Sequence, residues 1–167
     1  SLLTLRLFTN YEGQPAIELE MIADESEFSD PARPGRTEKG AYQFSYSEEN
    51  GKILIEPEPV LRRIVEEITK KESAGRISAR FHNSVSRMVL RVCERIREQS
   101  GISEVALGGG VFQNFWLVSQ IKGLLEGKKF RVYVAHLVPT NDGGISLGQA
   151  SIGLRRMKDV LGGSNEG

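Results

Sequence analysis

The sequence has 167 residues, 39% of them hydrophobic, with 22 basic and 22 acidic side chains, a formal net charge of zero and a single cysteine. At 18.5 kDa, surface scaling gives roughly 8,200 Å² exposed when folded against about 26,800 Å² unfolded, enough burial for one ordinary core. A neutral chain carries no overall field to gather nucleic acid or an anionic membrane, one thiol builds neither a disulfide nor a cysteine zinc cage, and no run approaches 18 apolar residues. The expectation is a soluble, cytoplasmic protein with neither nucleic acid nor membrane as a partner. The chain begins at Ser1, and SLLTLRLFTN lacks the charged and apolar regions of a signal peptide. That start reads as the cut edge of something longer.

In chain order, residues 24–40, DESEFSDPARPGRTEKG, mix charge, proline and glycine without periodicity and read as a surface loop. YQFSYS then alternates aromatic with polar, EENG supplies turn residues and KILIEP (52–57) continues, which predicts a β-hairpin. From Pro57 the period becomes helical through Val60, Leu61, Ile64, Val65 and Ile68, predicting a helix over 58–73 with Gly75 near its stop. Ile77, Phe81, Val85, Met88, Val89, Val92 and Ile96 recur at steps of three and four and predict a second, long helix ending before Ser100 and Gly101. A strand at VALG (105–108), a helix through Leu117, Ile121, Leu124 and Leu125, and a strand at FRVYV (130–134) together predict a βαβ unit with parallel strands. ISLGQASIGLRRMK reads as a terminal helix and residues 161–167 as a frayed tail.

Twelve of the 18 glycines fall in the last 60 residues, so the chemistry is expected late in the chain. GGG at 108–110 lies between a strand and a helix. Such a turn lets backbone N–H groups approach a phosphate at a helix N-terminus, or it is simply a tight connection. It matches neither the dinucleotide nor the GxxxxGK[ST] pattern. Asn114 either bonds a base or sugar or supports the helix cap. NDGG (141–144) is a second turn of the same kind, and parallel sheets bind ligands outside the carboxyl ends of their strands. Asp142 is there either a hard oxygen ligand for a metal or metal-nucleotide, or an N-cap. Gly144 and Gly148, four apart on one helix face, suggest close backbone packing. His82 and His136 lie 54 residues apart, so the chain holds no local metal-ligand pair. His82 reads as a satisfied, half-buried histidine, His136 as a surface residue, and Cys93 as a small buried hydrophobe. No nucleophile and base pair stands out.

YEGQPAIELE (11–20), RFHNSV (80–85), GGGVFQN (108–114) and VPTNDGGISLGQA (138–150) occur in that order. Together they resemble the C-terminal end of the hydrogenase maturation carbamoyltransferases, the HypF family, across nearly the whole chain. The resemblance implies an α/β fold, one lobe of the actin and hexokinase type of ATPase with a β-hairpin insertion. Residues 1–160 would form the C-terminal lobe of the Kae-type carbamoyltransferase domain, including the loop and hairpin of 24–57. It further implies carbamoyl phosphate and ATP as substrates, a carbamoyl adenylate, and transfer to the C-terminal cysteine thiol of a HypE-type maturation partner, for the cyanide ligands of the nickel-iron hydrogenase. Carried over by motif, Gly109 and Gly110 would line the nucleotide phosphates or ribose, Asn114 would lie near the adenosine, and Gly13 and Glu18 would hold the ribose. Asp142 would be the carboxylate that joins two histidines around a divalent metal, magnesium, iron or zinc.

The HxxxH metal pair, the acylphosphatase-like domain, the zinc fingers and the carbamoyl-phosphate-handling domain have no counterpart in these residues, so no intact catalytic set is expected and a lone segment would be inactive. Gly108 stands where many relatives carry another small residue. VFQN, where others have a VAxN-type loop, favours the hydrogenase branch over threonylcarbamoyl or O-carbamoyl transferases. A non-catalytic module, binding a protein partner through 24–57, is the alternative from a different class.

Overall fold

The computed structural model describes residues 10–11, 13–27, 40–135 and 142–162, with side chains as far as Met157. The readings placed on the first nine residues, on 28–39, on His136 and the VPTN segment, and on the last five residues lie outside these. The elements in order are α1 (Gln14–Met21), a 3-10 turn (Glu25–Glu27), β1 (Ser45–Glu49), β2 (Lys52–Glu56), α2 (Glu58–Thr69) and α3 (Ala74–Ser100). Then come β3 (Glu104–Leu107), a 3-10 turn (Gly110–Gln113), α4 (Phe115–Gly127), β4 (Arg131–Val134), a third 3-10 turn (Asp142–Gly144) and α5 (Ile145–Gly162).

Asn50 and Gly51 both have positive φ, 52° and 73°, which is the backbone a two-residue hairpin turn requires. The turn is therefore Asn-Gly alone, and Glu48 and Glu49, read as turn residues, belong to β1 and pair with Ile53 and Lys52. The boundary between α2 and α3 also differs from the sequence pattern. α2 stops at Thr69, Lys71 turns the chain at φ 60°, and Gly75 lies inside the first turn of α3. Gly75 is there for proximity: a Cβ on it would stand 2.8 Å from the carbonyl oxygen of Ile22, and its own carbonyl accepts from the Asp24 amide at 3.0 Å. α3 ends where Gly101, at φ 74°, donates its N–H to the Arg97 carbonyl.

α3 is the spine, and its two halves hold different things. Its C-terminal half contributes Val85, Val89, Leu90 and Cys93 to a core of Leu107, Leu117, Ile121, Leu125 and Phe130 from the βαβ unit. Full burial of each such side chain contributes about 1.5–3 kcal/mol. Burial also pushes the Cys93 thiol above its ordinary pKa, keeping it protonated and unreactive. The N-terminal half packs Ile77 and Phe81 against Val60, Ile64 and Ile68 of α2 and against Tyr42 and Phe44. Tyr42 donates its hydroxyl to Glu67 at 2.7 Å, and Arg80 donates to the same carboxylate at 3.1 Å, so one half-buried network joins the strand approach, α2 and α3. Asn83 joins Glu27 to Gly40, its amide nitrogen donating to the Glu27 carbonyl at 3.0 Å and the Gly40 carbonyl at 3.2 Å.

β3 and β4 are parallel, from Glu104 beside Arg131 to Leu107 beside Val134, with α4 as their crossover. Val105, Leu107, Val132 and Val134 face the core, while Glu104, Ala106, Arg131 and Tyr133 are exposed. Among the described residues this sheet is thus covered on one face, whereas parallel sheets are ordinarily covered on both. α5 is open as well: every residue from Ile145 to Met157 is exposed, five large apolar ones included.

Candidate functional site

β3 ends at Leu107 and the chain enters Gly108, Gly109 and Gly110, all exposed. Gly109 sits at φ 103°, ψ 163°, a region essentially reserved for glycine. A Cβ built on any of the three meets nothing within 4 Å among the described residues. The glycines are therefore not demanded by packing: the turn opens onto clear space. It leads into a 3-10 turn, whose leading N–H groups have no acceptor within the helix, and then into α4, whose aligned peptides place about half a positive charge at that end. This backbone suits an anion.

Asn114 terminates the turn. Its Oδ1 accepts from the Leu117 amide at 2.7 Å, which makes it the N-cap of α4. Its Nδ2 lies 2.9 Å from His82 Nε2. His82 Nδ1 lies 2.8 Å from the Ser78 carbonyl oxygen, a pure acceptor, so Nδ1 carries the proton and Nε2 accepts from the asparagine amide. The sequence reading of His82 as a bonded, non-catalytic histidine matches this, although the ring is more fully buried than expected, 5% exposed. Its neighbours Ser78, Asn83, Ser84 and Ser86 are buried too, forming a polar seam along the first half of α3.

α1 closes the other side. Its Glu20 carboxylate accepts the Phe115 amide, the first N–H of α4, at 2.8 Å, and its Leu19 carbonyl accepts from the Ser78 hydroxyl. The helix carrying Gly13 and Glu18 is thereby fixed beside the glycine turn. Gly13 is its N-cap, at φ 83°, exposed and with open space over it. At 1.5 Å per residue Gly13 stands about 10 Å along the axis from Glu20. Glu18 accepts at 2.8 Å from Gln14, which is itself buried and accepts from the Asn10 amide.

Asp142 is placed differently. It opens the short 3-10 turn before α5 and is exposed. Among the described residues, no hydrogen bond or ion pair joins it to Gly13, Glu18, Gly109, Gly110 or Asn114. Nor does any group of three His, Cys, Asp or Glu among them come together to hold a metal ion. One carboxylate is not a metal site, so the described residues do not by themselves fit the divalent metal that the motif implies. The expected close packing at Gly148 is also absent: a Cβ there meets nothing within 4 Å among the described residues.

A parallel βαβ unit with an open glycine turn at the carboxyl end of its first strand, leading into a capped helix, is the ligand-binding arrangement of open α/β sheets. Residues 1–149 match the family model described as the carbamoyltransferase Kae1-like domain, second subdomain, and the chain belongs to that family. It is 31% identical over 139 residues to the carbamoyltransferase HypF of Synechocystis, covering 83% of this chain and 16% of that one. It is 29% identical to HypF2 of Cupriavidus necator, covering 87% and 20%. The fold superimposes on a crystal structure of full-length HypF in the phosphate- and nucleotide-bound form with a TM-score of 0.79 and 37% identity, over 92% of this chain and 19% of that one. For T. kodakarensis HypF the TM-score is 0.68, at 25% identity and over 93% and 18%. The chain thus spans a fifth or less of the length of these relatives.

Motif reading named Gly13, Glu18, Gly109, Gly110 and Asn114 and read His82 as a bonded histidine, but singled out neither Glu20 nor Ser78, which join α1 to the start of α4 and to α3. A signal was present in SARFHNSVS: Ser78, His82 and Ser86 recur every four residues, a polar stripe on what is otherwise an amphipathic helix.

Proposed function

We propose that this chain forms the nucleotide-facing portion of an ATP-dependent carbamoyltransferase. In that reaction carbamoyl phosphate and ATP give a carbamoyl adenylate, whose carbamoyl group passes to a cysteine thiol of a hydrogenase maturation partner of the HypE type. The observation that carries the reading is the exposed Gly108–Gly110 turn, with open space over every glycine and a glycine-only conformation at Gly109, in a chain of the HypF family. Side chains are missing where a bound phosphate would need the room, and the α4 N-terminus supplies donors and a favourable dipole. The nucleotide-bound state of the similar full-length HypF structure supports the same reading.

In this reading the Gly109 and Gly110 backbone approaches the phosphates, and Asn114 holds the start of α4 against the adenosine side. Gly13 and Glu18, carried by α1, reach the ribose. Asp142 is one ligand of a divalent metal whose remaining ligands come from outside this chain. The lobe belongs to an actin and hexokinase type of ATPase cleft that a second lobe completes, which leaves the isolated segment without turnover. The bare face of the β3–β4 sheet and the exposed α5 agree with a partner lobe.

The test is ATP binding by a full-length HypF protein carrying these residues, measured by calorimetry with Gly109→Val. A Cβ-branched residue at φ 103° is strained and obstructs the open turn, so ATP affinity is expected to fall at least tenfold with the fold retained. Unchanged ATP affinity in a folded Gly109→Val protein removes the nucleotide reading.

A further inference from the structure

From the geometry we infer that His82 is a positioning residue of this site: by accepting from the Asn114 amide it sets the direction of the α4 N-terminus and of the glycine turn before it. The inference rests on the nucleotide reading above and extends it to a buried residue behind Asn114. His82 is buried at 5% exposure, so it acts through Asn114 and not on substrate.

The arrangement determines itself. The Leu117 amide needs an acceptor, which places Asn114 Oδ1 toward α4 and leaves Nδ2 facing the ring. The Ser78 carbonyl oxygen facing Nδ1 can only accept, which places the ring proton on Nδ1 and leaves Nε2 as the acceptor. Ser78 is in turn tied to Leu19 through its hydroxyl, and the neighbouring Glu20 holds the Phe115 amide. α1, α3 and α4 are thus joined by these bonds, and the glycine turn lies at the start of the segment that they fix. A half-buried amide deprived of its acceptor turns to another partner or to water. If Asn114 rotates, the cap on α4 is released with it, and the turn loses its fixed exit.

Two substitutions separate this role from mere packing. His82→Gln puts an amide oxygen near the Nε2 position, keeping the acceptor for Asn114 and giving up the Ser78 bond. His82→Asn puts its amide near the Nδ1 position, keeping the Ser78 bond and giving up Asn114. ATP affinity would be measured by calorimetry in a full-length HypF protein carrying these residues, with Gly109→Val alongside. The expected result is a dissociation constant within about threefold of the parent for His82→Gln and raised on the order of tenfold for His82→Asn, the scale set by one unsatisfied buried hydrogen-bonding group. Parent-like affinity in His82→Asn, or equal loss in both variants, overturns the positioning role. If those results come with a large loss in Gly109→Val, the nucleotide reading survives without it; if Gly109→Val is also unaffected, both fall. Should the variants not fold, the parent protein with 15N-labelled histidine carries the test. The His82 ring signals should shift saturably with ATP, and an unmoved ring overturns the inference.

Discussion

The two glycine turns look alike as sequence, each following a strand and preceding a helix, yet the structure treats them differently. GGG at 108–110 leads into the start of α4, which is held by the Asn114 cap, by His82 of α3 and by Glu20 of α1, on a helix whose inner face is buried. Asp142–Gly144 opens a helix that is exposed from Ile145 to Met157. The first turn is organised within this chain. Among the described residues, no hydrogen bond or ion pair joins Asp142 to the first turn. The contrast teaches that two turns of one sequence type can differ in how much of their support lies within the described residues.

Core truncation should give the largest split between the two sides. Leu125, 0% exposed, is expected to lose about 2–5 kcal/mol of unfolding free energy as Leu125→Ala. Leu154, 62% exposed, should stay within about 0.5 kcal/mol as Leu154→Ala. Urea denaturation of the two variants side by side decides it, and a large loss at Leu154 would show that α5 is packed in solution.

Glycine replacement should then change sign between the sides. Gly109→Ala forces a side chain into a glycine-only conformation at a cost of about 1–3 kcal/mol. Gly148→Ala, in an open helical position, should raise α5 stability by about 0.5–1 kcal/mol. Thermal unfolding and helix content by circular dichroism read both. The caps form the next comparison: Asn114→Ala is expected to cost about 1 kcal/mol and Asp142→Ala less than about 0.5 kcal/mol of this chain's stability. Equal losses would mean that Asp142 caps α5 as firmly as Asn114 caps α4.

The smallest effect concerns the far end of the organised half, where Arg95 and Gln99 of α3 hold the hairpin through Glu48 at 2.9 and 3.1 Å. The Arg95 guanidinium bond keeps the Glu48 carboxyl below its ordinary value of 4.5. Its contribution is therefore fully present above that value and is lost as pH falls through the lower, folded one. Lower amide protection factors in β1 and β2, referred to the intrinsic rate at each pH, are expected as pH falls through the lowered Glu48 value, and Glu48→Gln should remove the pH dependence without disturbing the glycine turn.

Much of this fold was legible because hydrophobic spacing is a local property. The period-two hairpin, the period-3.6 helices and the βαβ unit were all visible within windows of ten to twenty residues. α1 was not read as a helix, since QPAIELEM is only eight residues long and its start at Gly13 carries no side-chain cap. Gly75 was taken for a helix stop because its reason for being glycine, the Ile22 carbonyl, lies some fifty residues away in sequence. The site divided in the same manner. Composition alone could not choose between ligand and cap for Asn114, and the structure shows the cap and adds a histidine partner that spacing did not pair with it.

By itself the sequence determined the elements, the family and the motifs, because glycine, asparagine and proline constrain the backbone wherever they stand, and because apolar periodicity needs only neighbours along the chain. Only the tertiary structure decided which motifs meet. It joined α1, the first half of α3 and the start of α4 through hydrogen bonds spanning 32 to 95 residues, and among the described residues it bonded Asp142 to none of them. Buried polar groups must find partners, and which partner they find depends on packing in three dimensions, which no local pattern encodes.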